Sequence, residues 1–307
     1  MDQIKIFAPA TVANVSCGFD VLGFALDTIG DEMHIRKSDK KGITITKIVG
    51  EDLPYDAKKN VVGAAGYALL DALNSDAGFE IDIYKKIKPG SGIGSSAASA
   101  AGTVFAINKL LGNPFNNTEL VRFAMEGERL ACGSAIADNV SAALFGGFTL
   151  VRSYAPLDII KINTPNQLYA TVIHPQIEIK TADARRVLKD TVPLKDAIKQ
   201  WGNVGGLISG LYTEDYGLIS RSLHDYVAEP FRSVLIPGFD LVKQKSIEAG
   251  ALGCGISGSG PSIFALSKGL ENAQKVADAM KEVYKNIGID FYVYVSKINT
   301  EGVKIIS

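Results

Sequence analysis

Cysteine is scarce in this chain, and Cys17, Cys132 and Cys254 are too scattered, with no C-x-x-C pair, for a disulfide framework or a cysteine zinc site. Histidine is as sparse: His34, His174 and His224 lack metal-ligand spacing and fall in no motif, which assigns them to structure or surface. Charge of one sign is missing too. With 32 basic and 33 acidic side chains the net charge is −1, so no basic field exists to hold a nucleic-acid backbone or an anionic membrane. An anionic ligand therefore has to be bound by local groups. No segment approaches the run of about 18 apolar residues that a membrane span needs. The opening MDQIKIFAPA has neither an apolar core nor a small-residue cleavage site of a secretory signal, and a cytoplasmic protein is expected. Internal repeats and low-complexity tracts are also absent. What is present is ordinary globular material, 47% hydrophobic and 21% charged over 307 residues, enough for one large or two medium domains.

Periodicity places strands at 3–8 (ended by Pro9), 43–48 and 79–83, with a helix over 60–73 between the last two. A glycine loop, 88–96, opens a helix that stops near Gly112, and Asn116 with Glu119 has the spacing of a capping box for the next. A strand at 147–152 leads into the polar, proline-containing stretch 153–167, read as the domain boundary. The second half begins with a strand at 168–174, a short helix from Thr181 and further helices to about residue 249. It ends strand 262–267, helix 270–286, strand 290–296. Strands and helices without regular alternation predict an α+β fold.

The strongest local signal is Lys88-Pro-Gly-Ser-Gly-Ile-Gly-Ser-Ser96. Glycines let a backbone approach a ligand closely, and the free N–H groups at the start of the following helix attract an anion such as phosphate. The helix begins with two hydroxyls, Ser95 and Ser96, that can donate to phosphate oxygens or hold a metal ion. No lysine follows as in a Walker loop, and no third glycine completes a dinucleotide fingerprint. Gly255-Ile-Ser257-Gly-Ser259 likewise fails as a nucleophile elbow, because its last position is not glycine. By itself a short glycine loop is matched by chance about as often as not.

Three segments in order remove that ambiguity. Pro9-Ala-Thr-Val-Ala-Asn14-Val-Ser-Cys-Gly18-Phe-Asp20-Val-Leu-Gly23 resembles the first motif of the GHMP kinases, the family of galactokinase, homoserine, mevalonate and phosphomevalonate kinases. Pro89-Gly-Ser-Gly-Ile-Gly94-Ser-Ser96-Ala resembles their phosphate loop, with Ile93 for the usual leucine. Gly250 to Ser262 resembles the third motif, with Ser259 for a common alanine. The branch acting on homoserine fits best, through Asn14 and Asp20, through Gly127-Glu128 ahead of Ala137-Asp138-Asn139, and through Thr181, Arg185 and Arg232. Ile136 stands where that branch usually has a histidine.

This resemblance implies a two-domain fold. Residues 1–160 would form a nucleotide-binding domain like domain 2 of ribosomal protein S5, and 161–307 a ferredoxin-like C-terminal domain. It implies Mg2+ with ATP as phosphate donor, L-homoserine as acceptor, and O-phospho-L-homoserine as product on the route to threonine. Members of the branch are often dimers, so a homodimer is expected.

By the same resemblance, Asn60, Pro89, Gly90, Ser91, Gly92, Ile93, Gly94, Ser95 and Ser96 would bind nucleotide, and Ser96 with Glu128 would hold the metal. Asn14, Asp20, Asn139, Thr181, Arg185 and Arg232 would bind the acceptor, with Asn139 at the catalytic centre. Asn139 stands where the mevalonate branch has an aspartate, and an amide takes up no proton at neutral pH. Transfer without a protein general base is therefore expected, with Asp20 on the acceptor's hydroxyl or ammonium end and a base role as its alternative. Guanidinium forks at Arg185 and Arg232 match the carboxylate of an amino acid. Lys85, Lys86 and Lys88 flank the loop and read as a solvated strand end. The rival readings are another kinase of the family, acting on mevalonate or a sugar alcohol, and a non-catalytic sensor. The pair Ser96 and Glu128 argues against the sensor.

Overall fold

A computed structural model of the chain describes residues 1–306. The alternation at the N-terminus forms β1 (Gln3–Ala13), which continues through Pro9 and does not end there. A proline lacks one N–H, and a register irregularity between Pro9 and Thr11 lets pairing with β2 (Leu22–Ser38) resume beyond it. Leu22 to Leu26 of β2 are buried on both faces, so the first half of this long strand shows no period of two, whereas in its second half buried Met33 and Ile35 alternate with half-buried Glu32, His34 and Arg36. β3 (Gly42–Val49) and, after α1 (Val61–Ala72), β4 (Gly78–Tyr84) pair in parallel and extend the sheet from β2.

Helix α2 (Ser95–Leu110) lies on this sheet and is buried along nearly its whole length. Small residues make that position attainable. A Cβ at Gly102 would come within 2.8 Å of Ile6 and Met33, two side chains whose burial contributes about 1.5–3 kcal/mol each. α3 (Asn117–Cys132) begins with the capping box of Asn116 and Glu119. Its Gly127 sits against Ala100 of α2, where a Cβ would be 2.8 Å from the alanine methyl. α4 (Asp138–Phe145) leads into the hairpin of β5 (Phe148–Tyr154) and β6 (Leu157–Ile162), which joins the sheet at β2. The polar stretch after residue 153 thus contains a strand, and the chain leaves the first sheet only after Ile162.

The second sheet begins with β7 (Leu168–Pro175). Five helices follow: α5 (Thr181–Arg186), α6 (Leu194–Thr213), α7 (Tyr216–Ser222), α8 (Glu229–Arg232) and α9 (Phe239–Glu248). β8 (Gly253–Ile256), β9 (Ile263–Lys268), α10 (Leu270–Ile287) and β10 (Phe291–Lys297) complete it. Its order, β10-β7-β9-β8 with antiparallel pairs throughout, is the ferredoxin-like arrangement. α10 buries Val276, Met280, Val283 and Tyr284, one face of a 3.6-residue period. The two sheets are tied together where the Ser296 hydroxyl accepts the backbone N–H groups of Asp27 and Thr28 at 2.7 and 3.1 Å. The chain then returns to the first sheet, as β11 (Lys304–Ile306) pairs with β1.

Candidate active site

The three glycine-rich segments, far apart in sequence, are bonded to one another. The Thr11 N–H donates to the Ile93 carbonyl at 3.1 Å and the Gly258 N–H to the Ala13 carbonyl at 3.2 Å. Ser257 Oγ donates to the Gly92 carbonyl at 2.7 Å and Ser262 Oγ to the Ser91 carbonyl at 2.6 Å. Asn14 bridges the first segment to the third: Nδ2 donates to the Gly258 carbonyl at 2.7 Å and Oδ1 accepts the Asp20 N–H at 3.0 Å. Asn14, Val15, Ser16 and Asp20 all hold positive φ angles without being glycine, a strain that persists where surrounding contacts fix the backbone. In the phosphate loop, Gly94 precedes α2 with φ +70, and a Cβ there would be 2.0 Å from Thr11 Oγ1. Only glycine satisfies both demands.

Between these segments and α5 lies a cavity of about 520 Å3. Pro89, Gly90, Gly92, Gly94, Ser95 and Ser96 line one wall, at the N-terminal end of α2. Asn14, Asp20, Asn139, Thr181, Arg185 and Arg232 line the other parts, with Glu128 and Asp138. The Arg185 guanidinium makes a forked contact with the Asp20 carboxylate, its nitrogens 3.1 and 3.2 Å from the oxygens. Buried Arg232 is fixed by Nε to the Ala184 carbonyl at 3.0 Å, by Nη1 to the Gly258 carbonyl at 3.1 Å, and by stacking on Phe19. Thr181 Oγ1 lies 3.3 Å from Ser259 Oγ, so the serine that replaces alanine in the third segment has a partner. Asn139 Oδ1 accepts the Thr11 hydroxyl at 2.7 Å, which orients the amide.

Two carboxylates here are far from their ordinary state. Burial pushes the Glu128 carboxyl up to about 7, against the pull of the Ser96 hydroxyl and the Lys85 ammonium. Its Oε1 is buried without a hydrogen-bond partner, a costly arrangement for a structural carboxylate. Burial, reinforced by the nearby Asp20 charge, pushes Asp138 up to about 7 as well, although its Oδ1 accepts the Asn139 N–H at 2.7 Å.

Three of the residues expected at the nucleotide stand back from the cavity wall. Asn60 is the N-cap of α1, its Oδ1 accepting the Val62 N–H at 3.0 Å and its Nδ2 donating to the Pro54 carbonyl at 2.8 Å. Ser91 and Ile93 alternate with the loop's lining residues and point into the protein, 1% exposed each. Lys85 is not a solvated strand end: it is buried in an ion pair with Asp31, and its ammonium donates to the Ser95 carbonyl and Ser99 Oγ, both at 3.0 Å. Asp31 also accepts the N–H groups of Lys86 and Ile87 at 2.9 and 3.1 Å. This node therefore ties both flanks of the phosphate loop together. Asp138, Glu178 and Lys180 line the cavity without having been singled out. Asp138 was legible only as the neighbour of Asn139, since nothing in a sequence reports the burial that shifts it.

Comparison with known proteins agrees over the whole chain. The family model described as GHMP kinases N terminal domain matches residues 60–147, and that described as GHMP kinases C terminal matches 207–286. A homoserine kinase of Chlorobium phaeobacteroides (strain DSM 266 / SMG 266 / 2430) is 48% identical over 322 aligned positions, covering 100% of both chains. The crystal structure of homoserine kinase from Cytophaga hutchinsonii superposes with a TM-score of 0.95 at 57% identity, covering 100% of this chain and 98% of that one. The L. major mevalonate kinase shares the fold at a TM-score of 0.69 and 18% identity, over 96% of each chain.

Proposed function

The chain belongs to the GHMP kinase family, and on that premise we propose that it transfers the γ-phosphoryl group of ATP to the side-chain hydroxyl of L-homoserine. The product is O-phospho-L-homoserine, an intermediate on the way to threonine. The observation that carries the reading is one cavity that holds both a phosphate loop at a helix N-terminus and a pair of opposite charges, Arg185 and Asp20. The loop's free N–H groups suit the triphosphate, and the charge pair suits an amino acid, which presents a carboxylate and an ammonium together.

In this reading Arg185 and Arg232 take the acceptor's carboxylate, and Asp20 takes its ammonium or hydroxyl end. Thr181 and Asn14 complete the pocket, while Asn139, oriented by Thr11, holds the reacting hydroxyl in line. Glu128 and Ser96 fit Mg2+, because the buried, partnerless Oε1 calls for a cation. Among the described residues no group of three or more His, Cys, Asp or Glu side chains gathers to hold a metal ion. Mg2+ bound with a nucleotide keeps waters and phosphate oxygens as most of its ligands, so one or two protein oxygens are enough to hold it. When bound, the ion would neutralise charge on the transferring phosphoryl group. The residues near the loop do the positioning, and no protein base is assigned. No described helix is long and apolar enough to cross a membrane, and we place the enzyme in the cytoplasm, where ATP is supplied. We take the first sheet with its helices, through Ile162 and with β11 returned to it, as the nucleotide-binding domain, so the boundary expected at 160 moves past the end of β6, and the second domain begins with β7.

The test is ADP release from Mg·ATP with homoserine, mevalonate, galactose or shikimate as acceptor. Turnover with homoserine above the others is expected. Preference for mevalonate or a sugar would move the chain to another branch, and no turnover with any acceptor would favour a sensor.

A further inference from the structure

The phosphate loop has no cation of its own. Each of the three lysines that flank it is committed elsewhere: Lys85 to Asp31, Lys86 to Glu32, and Lys88 to the Gln176 side chain at 3.0 Å. None of the three lines the cavity. A triphosphate would bring several negative charges into a space that Asp20, Glu128, Asp138 and Glu178 also line. Like charges so placed repel one another unless cations stand among them.

The cationic side chains that line the cavity are Lys180, Arg185 and Arg232. Arg185 is forked on Asp20, and Arg232 is held on the Ala184 and Gly258 carbonyls. Lys180 differs from both: among the described residues its ammonium has neither an ion pair nor a hydrogen bond, and the residue is exposed. Its backbone is fixed nonetheless, because its carbonyl accepts the N–H groups of Asp183 and Ala184 at 3.0 and 3.1 Å. Position tells which phosphate it would meet. Lys180 precedes Thr181, whose Oγ1 lies 3.3 Å from Ser259 Oγ, and the same turn is bonded to the phosphate loop by Ser257 Oγ on the Gly92 carbonyl at 2.7 Å. Lys180 thus stands where the acceptor's wall meets the loop. Of the three phosphates of ATP only the γ-phosphate must reach that boundary.

We propose that Lys180 is a further catalytic residue, whose ammonium contacts the γ-phosphoryl oxygens during transfer. The cation that a Walker loop supplies from its own lysine comes here from the second domain. This inference rests on the kinase reading. In phosphoryl transfer the charge is spread over three equatorial oxygens, and a point charge on a flexible stem can follow that group toward the acceptor. The forks of Arg185 and Arg232 match a planar carboxylate instead, so the two kinds of cation divide donor from acceptor. The ammonium donates hydrogen bonds and exchanges no proton, which leaves the base-free route as it stands.

The experiment compares Lys180→Met and Lys180→Arg with the wild type in two measurements on the full chain. Residue 180 makes its local bonds through the backbone, so both variants should fold. In turnover of homoserine with Mg·ATP, Lys180→Met is expected to lose about 10²-fold in kcat, the usual effect of removing one electrostatic contact to a transition state. KM for homoserine should change little, and Lys180→Arg should keep most of kcat. In titrations without acceptor, Lys180→Met should bind the magnesium complex of β,γ-imido-ATP about tenfold more weakly and Mg·ADP as the wild type does. A wild-type kcat in Lys180→Met would make residue 180 a solvated lysine and overturn the proposal. Equal weakening of both nucleotides would overturn it too, by placing the ammonium on the inner phosphates. A wild type that turns over no acceptor would sink the homoserine reading instead, and the titrations, read without acceptor, would still decide the place of Lys180.

Discussion

Arg185 and Asp20 stand on different sheets' appendages, α5 after β7 and the loop between β1 and β2, and their side chains meet with nitrogen and oxygen 3.1 Å apart. Each is 34% exposed. A pair so open to water stabilises the fold by about 0–1 kcal/mol and separates at little cost. An amino-acid acceptor can exchange with it, the acceptor's carboxylate for Asp20's and its ammonium for the guanidinium. In the proposed function the pair would thus keep both groups aimed at the space for the acceptor.

Arg185→Ala is expected to raise KM for homoserine by about tenfold or more, the effect of losing a charge-assisted contact of about 1.5–3 kcal/mol. KM for ATP should stay as it is, because Arg185 has no part in the phosphate loop. Steady-state kinetics with each substrate varied in turn decide this. If a homoserine amide served as well as homoserine, the carboxylate assignment would be lost.

Glu128→Gln and Ser96→Ala should each fold and lose about 10²-fold or more in kcat, the usual effect of removing one electrostatic contact to a transition state. Circular dichroism and thermal melting establish the fold, and kcat at saturating Mg·ATP gives the loss. A folded Glu128→Gln enzyme with wild-type kcat would remove Glu128 from the metal site.

A third expectation concerns pH. Asp138 is raised from its ordinary 3.8 to about 7, first by burial and then by Asp20. Between those values the native protein keeps a proton that the unfolded chain has released, so stability falls as pH rises. The contribution is complete below about pH 4 and gone above about pH 7; at 1.36 kcal/mol per unit it amounts to at most about 4 kcal/mol. Melting of the ligand-free Asp138→Asn variant should accordingly show a shallower decline over that window. Parallel wild-type and variant curves would mean that Asp138 titrates normally.

The parts of the site that were legible in sequence are those where backbone shape dictates residue type. Gly94 must be glycine for both its φ and its distance to Thr11, and such demands leave a recognisable string. The strand through Pro9 and the first half of β2 escaped because a bulge and two-sided burial erase the alternation that marks a strand; the alternation of Met33 and Ile35 with Glu32, His34 and Arg36 was there to be read. Lys85 was misread for a related reason. Three lysines around a loop look solvated until Asp31, more than fifty residues earlier, is seen to face one of them. Asn60 shows the converse, since its position in the family pattern is also the position of a helix cap. Local pattern carries backbone geometry well, and it carries long-range pairing and burial poorly.

The chemistry of proton transfer gives the last prediction. Asn139 has no basic atom to offer, and its Oδ1 already accepts the Thr11 hydroxyl. In a loose phosphoryl-transfer transition state the nucleophile has formed little bond, so early deprotonation gains less than alignment does. The acceptor's proton can then leave late, to a γ-phosphate oxygen. Two carboxylates in the cavity are the competitors for it. Asp20 is held by Arg185, and Asp138, shifted to about 7, has the affinity a base working near neutral pH would need. Asp20→Asn and Asp138→Asn, assayed at saturating homoserine from pH 6 to 9, separate the alternatives. Transfer without a base predicts that Asp20→Asn raises KM while both variants keep most of kcat and the shape of its pH profile. A fall in kcat of about 10²–10⁴-fold, the usual effect of removing a general base, together with loss of the acid limb in one variant, would identify that residue as the proton acceptor and reject the base-free route.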